Sequence, residues 1–128
     1  NDTVDLTLAS GGNRIDLGSG DDTLFAGANN RILAGSGDDT LFVGSSGGNN
    51  VITGGMGSDQ FWVVTDSEDL PDQANIITDF TSGMDVIGFA NTSLNFAGLS
   101  LIQDGQDTIV RALNQDLAKL MNVQVNSL

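Results

Sequence analysis

The sequence predicts an all-β chain: a two-sheeted parallel roll over residues 1–62, an acidic crossing over 63–74, and a β-rich C-terminal capping region over 75–128. Three observations predict it. Asp22, Asp39 and Asp59 stand at matching places in LGSGDDTLF, AGSGDDTLF and GGMGSDQFW, with Asp2 matching in NDTVD, at spacings of 20, 17 and 20 residues. A second series, Asn13, Asn30 and Asn50, interleaves with the first, each Asn nine residues before the next Asp and two before Ile15, Ile32 or Ile52. Doubled glycines (Gly18 and Gly20, Gly35 and Gly37, Gly55 and Gly57) precede the aspartates. Fixed-period self-similarity of this kind is the mark of a stacked repeat.

The half-unit of about nine residues is too short for a helix and its connection, but it holds a short strand and a turn. Side chains alternate along a strand, so Leu24, Leu41 and Phe61 point inward from one sheet and Ile15, Ile32 and Ile52 from the other. The glycines occupy turns where a positive φ or close backbone stacking excludes a Cβ. The two spacings of 20 imply small insertions, at Leu6 to Leu8 and within Ser45 to Gly48. The opening NDTV reads as the tail of a GDDT unit, which suggests that the chain starts inside a larger protein.

After Trp62 the repeat stops. VVTDSEDLPDQA is acidic, carries the one Pro of the chain, and reads as an irregular crossing. NIITDFTSGMDVIGF alternates apolar residues around a Ser82-Gly83 turn, and LSLIQDGQDTIVRAL reads as a hairpin on Asp104-Gly105. From Asn114 to Met121 two readings stand: a short helix capped by Asn114 with Leu117, Leu120 and Met121 on one face, or a strand. The open end of a roll would template aggregation, so 75–128 is expected to cover it.

Composition narrows the function. The 128 residues carry 17 acids against four bases, a formal charge of −13, which disfavours nucleic acid and other polyanions and favours cations as partners. All the acids but Glu68 are Asp, whose short reach suits turns and ligation close to the backbone. There is no Cys, His or Tyr, which removes thiolate and imidazole chemistry and the usual zinc sites and makes an enzyme a poor reading. No apolar run of membrane-spanning length and no signal-peptide pattern appear in these residues, so neither a membrane span nor entry to the general secretory route is expected of them.

A G-x-G-x-D turn presents carbonyls and a carboxylate on one edge, and two stacked turns offer a hard cation about six oxygens, which is calcium's preference. Without a cation, aspartates stacked one strand spacing apart would repel by roughly 1 kcal/mol per pair in water and a few at an effective dielectric of 20. The thin core makes that repulsion decisive, so ion binding is expected to be part of the folding free energy.

The G-x-G-x-D-x-[LF] repeat resembles the hemolysin-type, or RTX, calcium-binding nonapeptide repeats. The stretch from Asp66-Ser67 through Ile77-Thr78-Asp79-Phe80 to Gly83-Met84-Asp85 is similar to the end of the C-terminal domain of serralysin-type secreted proteases. The resemblance implies a right-handed parallel β-roll, about two to four calcium ions, export through a type I secretion apparatus, and folding on calcium in the extracellular medium. It implies Asp22, Asp39 and Asp59 as carboxylate ligands, carbonyls near Gly18, Gly20, Gly35, Gly37, Gly55 and Gly57, Asp79 completing the last site, and Asp2, Asp66 and Asp85 as lesser candidates. On the opposite edge Asn13, Asn30 and Asn50 replace the family's Asp and the glycine pattern is broken, as in AGANNRIL. Neutral amides do not offset an ion's charge, so that edge is expected to be a metal-free stack of hydrogen-bonded Asn side chains.

Two outward features remain. Phe25, Phe42 and Trp62 form a stripe that either packs under the cap, the favoured reading, or stacks the sugars of a polysaccharide, with Thr23 and Thr40 beside it. This would make the chain a polysaccharide-binding or adhesion module. Arg14 and Arg31 are expected to relieve charge beside Asp16, and Asp104 and Asp107 to be hairpin and surface residues.

Overall fold

In the computed structural model, residues 1–43, 47–64, 70–90 and 98–128 are described. The chain is built from strands β1 (Thr3–Leu6), β2 (Arg14–Asp16), β3 (Thr23–Ala26), β4 (Arg31–Ser36), β5 (Thr40–Phe42), β6 (Val51–Met56), β7 (Gln60–Val64), β8 (Asn75–Ile77), β9 (Val86–Phe89), β10 (Ser100–Asp104), β11 (Asp107–Ala112) and β12 (Gln115–Leu120), with a 3₁₀ turn at Val125–Ser127. From β1 to β9 alternate strands go to opposite sheets. One sheet is ordered β1-β3-β5-β7-β9 and the other β10-β11-β12-β8-β6-β4-β2. Neighbours within β1 to β9 are all parallel, in the register the repeats require: Thr23 beside Thr40 and Gln60, Leu24 beside Leu41 and Phe61, Ile15 beside Ile32 and Ile52.

The predicted inward residues form the core. Leu24, Leu41, Phe61, Ile32, Ile52 and Ile77 are fully buried between the sheets, and Ile15 nearly so. Each such side chain contributes about 1.5–3 kcal/mol of burial. The extra residues of the first spacing fall in the turn after β1, where Leu8 is fully exposed; Ser45 and Ser46, in the second insertion, lie outside the described residues.

Parallel stacking does not stop at Trp62. β8 joins β6 in one sheet and β9 joins β7 in the other, so the Ser82-Gly83 turn connects two sheets of the roll. Asn75-Ile76-Ile77 repeats the Asn-x-Ile of earlier rungs, and Asp85-Val86-Ile87 repeats Asp-x-Leu.

Residues 115–120 form strand β12. A six-residue helix would leave most of its backbone groups unpaired, whereas β12 lies between β8 and β11 and satisfies both its edges. Leu113 and Asn114 have φ of 52° and 61°, the paired positive values of a type I′ hairpin, so Asn114 turns a hairpin in place of capping a helix. Met121 leaves the expected apolar face and is exposed. The β10–β11 hairpin forms with Asp104 opposite Asp107, which places its turn at Gly105-Gln106, one residue beyond the expected centre. Through β12 the three C-terminal strands extend the roll's second sheet and bury Val110, Ala112, Leu117 and Leu120. Among the described residues no helix is long and apolar enough to cross a membrane.

The Asn edge is a continuous amide ladder. Asn13 Nδ2 donates to Asn30 Oδ1 at 2.9 Å, the Asn30 backbone N–H to Asn50 Oδ1 at 2.8 Å, and Asn50 Nδ2 to Asn75 Oδ1 at 2.9 Å. Asn75, fully buried, returns a bond from Nδ2 to the Val43 carbonyl at 3.1 Å. Asn75→Ala removes acceptor and donor together and strands the Asn50 donors. Urea unfolding of the folded variant should show a loss of about 2–4 kcal/mol, whereas the exposed-site control Asn126→Ala should stay within about 0.5 kcal/mol of the parent.

Candidate metal centre

The opposite edge is built from turns in which backbone lies almost on backbone. Gly18, Gly20, Gly35, Gly37, Gly55 and Gly57 all have positive φ, from 97° to 135°. A Cβ on Gly35 would lie 1.9 Å from the Gly18 carbonyl oxygen, and one on Gly55 the same distance from that of Gly35. Any side chain at either position would force the rungs apart.

This closeness stacks the aspartates. Oδ1 of Asp22 accepts the Asp2 N–H at 2.5 Å, Asp39 accepts that of Asp22 at 2.8 Å, Asp59 that of Asp39 at 3.0 Å, and Asp85 that of Asp59 at 3.0 Å. The second oxygen, Oδ2, of Asp22, Asp39 and Asp59 is buried and has no hydrogen-bond partner among the described residues. A buried carboxylate oxygen left unpaired is costly unless something outside the chain engages it. Asp79 accepts the Gly54 and Gly55 N–H groups at 2.9 and 2.8 Å on the same edge.

The expected residues are therefore brought together unequally. Asp22, Asp39 and Asp59 form the buried row with the six glycines around it, and Asp79 sits at its C-terminal end. Asp85, a lesser candidate from sequence, is the next member of the row. Asp2 joins through its backbone, with its side chain exposed. Asp66 lies outside the described residues. Asp21 and Asp38, the neighbours that add to the repulsion, form a second, outer row: Asp21 Oδ1 accepts the Asp38 N–H at 2.9 Å and Asp38 Oδ1 that of Ser58 at 2.8 Å. The doubled Asp of GDDT was its only sequence signal. Among the described residues no three carboxylates converge on one point, so a cation here would take pairs of carboxylates and complete its shell with turn carbonyls.

Electrostatics follow position. The Asp2 N–H holds the Asp22 carboxyl below the usual range. Burial, reinforced by Asp22, Asp21 and Asp38, pushes Asp39 up. Burial, reinforced by Asp85, Asp39 and Asp79, raises Asp59 to about 6. The row is short of positive charge.

A family model for the C-terminal region of serralysin, a peptidase of the M10 class, matches residues 2–125. The chain belongs to that family. Its match covers the roll and the three C-terminal strands alike, and concerns the non-protease part of serralysin-like proteins. No curated protein matches the chain at a significant level.

The aromatic stripe of this serralysin-type C-terminal region stacks ring on ring. Phe25 and Phe42 stack with centroids 4.8 Å apart and planes 4° apart, and Phe42 and Trp62 at 5.8 Å and 20°. Trp62 lies over Gly88, where a Cβ would come within 2.6 Å of the indole. Strands β10, β11 and β12 extend the other sheet, so among the described residues the expected packing of the stripe under them is not found. Ring faces that a sugar would need are taken up by neighbouring rings, leaving the outer face of Phe25 beside Asp5.

Two outcomes test this edge. Gly35→Ala should abolish formation of the roll as read by far-UV circular dichroism, while Gly105→Ala, with nothing within 4 Å of the new Cβ, should retain it. The second concerns pH in metal-free solution. Asp59 binds its proton more tightly folded, at about 6, than at the ordinary 3.8, so its contribution is present below 3.8 and lost as pH rises through about 6. Metal-free chain should gain folded structure on acidification from pH 7 towards 4, and a flat or falling profile would contradict the assignment.

Proposed function

We propose that this chain is a non-catalytic calcium-binding module of a secreted protein, which folds when it meets calcium outside the cell and stabilises the protein that carries it. The observation that carries this reading is the row of buried, unpartnered Oδ2 atoms on Asp22, Asp39 and Asp59. The donor set is all oxygen, hard and anionic, which suits calcium over softer metals. Asp22, Asp39 and Asp59 would supply carboxylates, the turns at Gly18, Gly20, Gly35, Gly37, Gly55 and Gly57 carbonyls, and Asp79 and Asp85 would serve the last rung. The bound ion would supply charge neutralisation, with no reaction step attached. Membership of the serralysin C-terminal family supports both the calcium reading and the extracellular location.

Metal belongs on the Asp edge alone. On the other edge the amides of Asn50 and Asn75 already use both donor and acceptor within the protein, Asn13 Nδ2 donates to the Ser10 carbonyl and to Asn30 Oδ1, and Asn30 Oδ1 accepts two bonds from Asn13.

Circular dichroism with and without millimolar calcium tests the proposal, because a chain fully folded in chelator would overturn it. A sharper version uses Asp39→Asn. The isosteric amide keeps the acceptor for the Asp22 N–H but loses the charge, so calcium should bind at least tenfold more weakly while the metal-free fold becomes more stable. Equal calcium affinity in the variant would remove Asp39 from the site.

A further inference from the structure

Every basic residue of the chain lies on the outward face of the seven-stranded sheet. Arg14, Arg31, Arg111 and Lys119 each alternate with a buried neighbour such as Ile15, Ile32, Val110 or Leu120. Two of them are neutralised within the fold. Arg111 Nε meets Asp116 Oδ1 at 2.5 Å, and Lys119 Nζ meets Asp107 at 3.4 Å.

The other two are not. Arg14 and Arg31 stand directly opposite each other on β2 and β4, a like-charge pairing that costs stability. Among the described residues neither side chain makes an ion pair. Asp16, expected to relieve them, stands opposite Leu33 and pairs with neither. In a chain with 17 acids, two adjacent guanidiniums with no carboxylate at ion-pair distance among the described residues are unusual.

An open groove of about 460 Å³ runs beside these arginines, lined also by Gly12, Asn13, Asn29, Asn30, Asn49 and Val51. Asn29 and Asn49 are exposed, are held in left-handed conformation, and stack by a 2.9 Å bond from Asn49 Nδ2 to Asn29 Oδ1. Guanidiniums match the planar fork of a carboxylate or the oxygens of a phosphate, and amides hydrogen-bond hydroxyls in either sense. We propose that Arg14 and Arg31, with Asn29 and Asn49, form a binding site for an oxyanion carried on a hydroxyl-rich molecule, a sugar carboxylate or a phosphate ester. The remaining surface carries the chain's negative charge, so the site works best when cations occupy the Asp edge. It stands apart from that edge and from the aromatic stripe, and its failure would leave the calcium reading untouched.

The test is a titration of the ¹⁵N-labelled, calcium-loaded chain with D-glucuronate, inorganic phosphate and D-glucose, following the Nε–Hε resonances of the arginines. Saturable shifts at Arg14 and Arg31 are expected with at least one of the two anions, with no shift from glucose and none at Arg111. Tighter binding of glucuronate assigns the site to sugar acids, and tighter binding of phosphate to phosphate esters. Arg14→Gln and Arg31→Gln, first checked for unchanged calcium-induced dichroism, should each weaken binding at least tenfold. Absence of a saturable shift with both anions, or unchanged affinity in the double variant, overturns the proposal.

Discussion

Stacking in register is the constraint on which everything else here depends. When one rung lies on the next at roughly 4.8 Å, many side chains meet their own kind: Leu on Leu, Phe on Phe, Asn on Asn, Asp on Asp and Arg on Arg. For apolar residues this repetition is favourable, and the row of Leu24, Leu41 and Phe61 is fully buried along one wall of the core. Amides also profit, since each has a donor and an acceptor. Charges do not: the inner and outer Asp rows of one edge and the pair of Arg14 and Arg31 each set like charge on like.

The two edges of the roll are the same geometry filled with two chemistries. On one edge Asn50 gives Nδ2 to the next rung and receives a backbone N–H from the preceding one, which closes the row internally. On the other, Asp39 can accept the N–H of the preceding rung through Oδ1, but its Oδ2 has no proton to give and stays unpaired. Replacing NH₂ by O⁻ therefore converts a self-sufficient ladder into one that is incomplete. The glycine carbonyls beside that row approach because no Cβ keeps them away.

Much of this architecture was legible in the residues, because a repeat states its own register. The pairing of Leu24 with Leu41 and Phe61, the burial of Asp22, Asp39 and Asp59 and the Asn stack all follow from aligning three copies. The fourth copy, Asn75-Ile76-Ile77 with Asp85-Val86-Ile87, was hidden by a lengthened spacing and by the acidic crossing before it. β12 was ambiguous because Leu117 and Leu120 fit a helical face, and Leu113-Asn114 makes a type I′ turn without the glycine that would announce one. The use of Oδ1 to hold a neighbouring N–H depends on a rotamer, and the missing partner of Arg14 and Arg31 depends on where distant acids settle. Neither has a signature in a one-dimensional string.

The joint between β8 and β12 carries a consequence in time. Successive rungs pair residues 17 to 26 apart in sequence, as in Asp22 with Asp39 and Asp59 with Asp85, so each can be laid down soon after the last. Asn75 must wait for Ala118, beyond two antiparallel hairpins. Loop closure over the longer span costs only modestly more entropy, but it needs β10, β11 and β12 to have found one another first. The seam in the seven-stranded sheet thus joins a parallel part, whose neighbours lie 17 to 26 residues apart, to an antiparallel part whose hairpins are local in sequence.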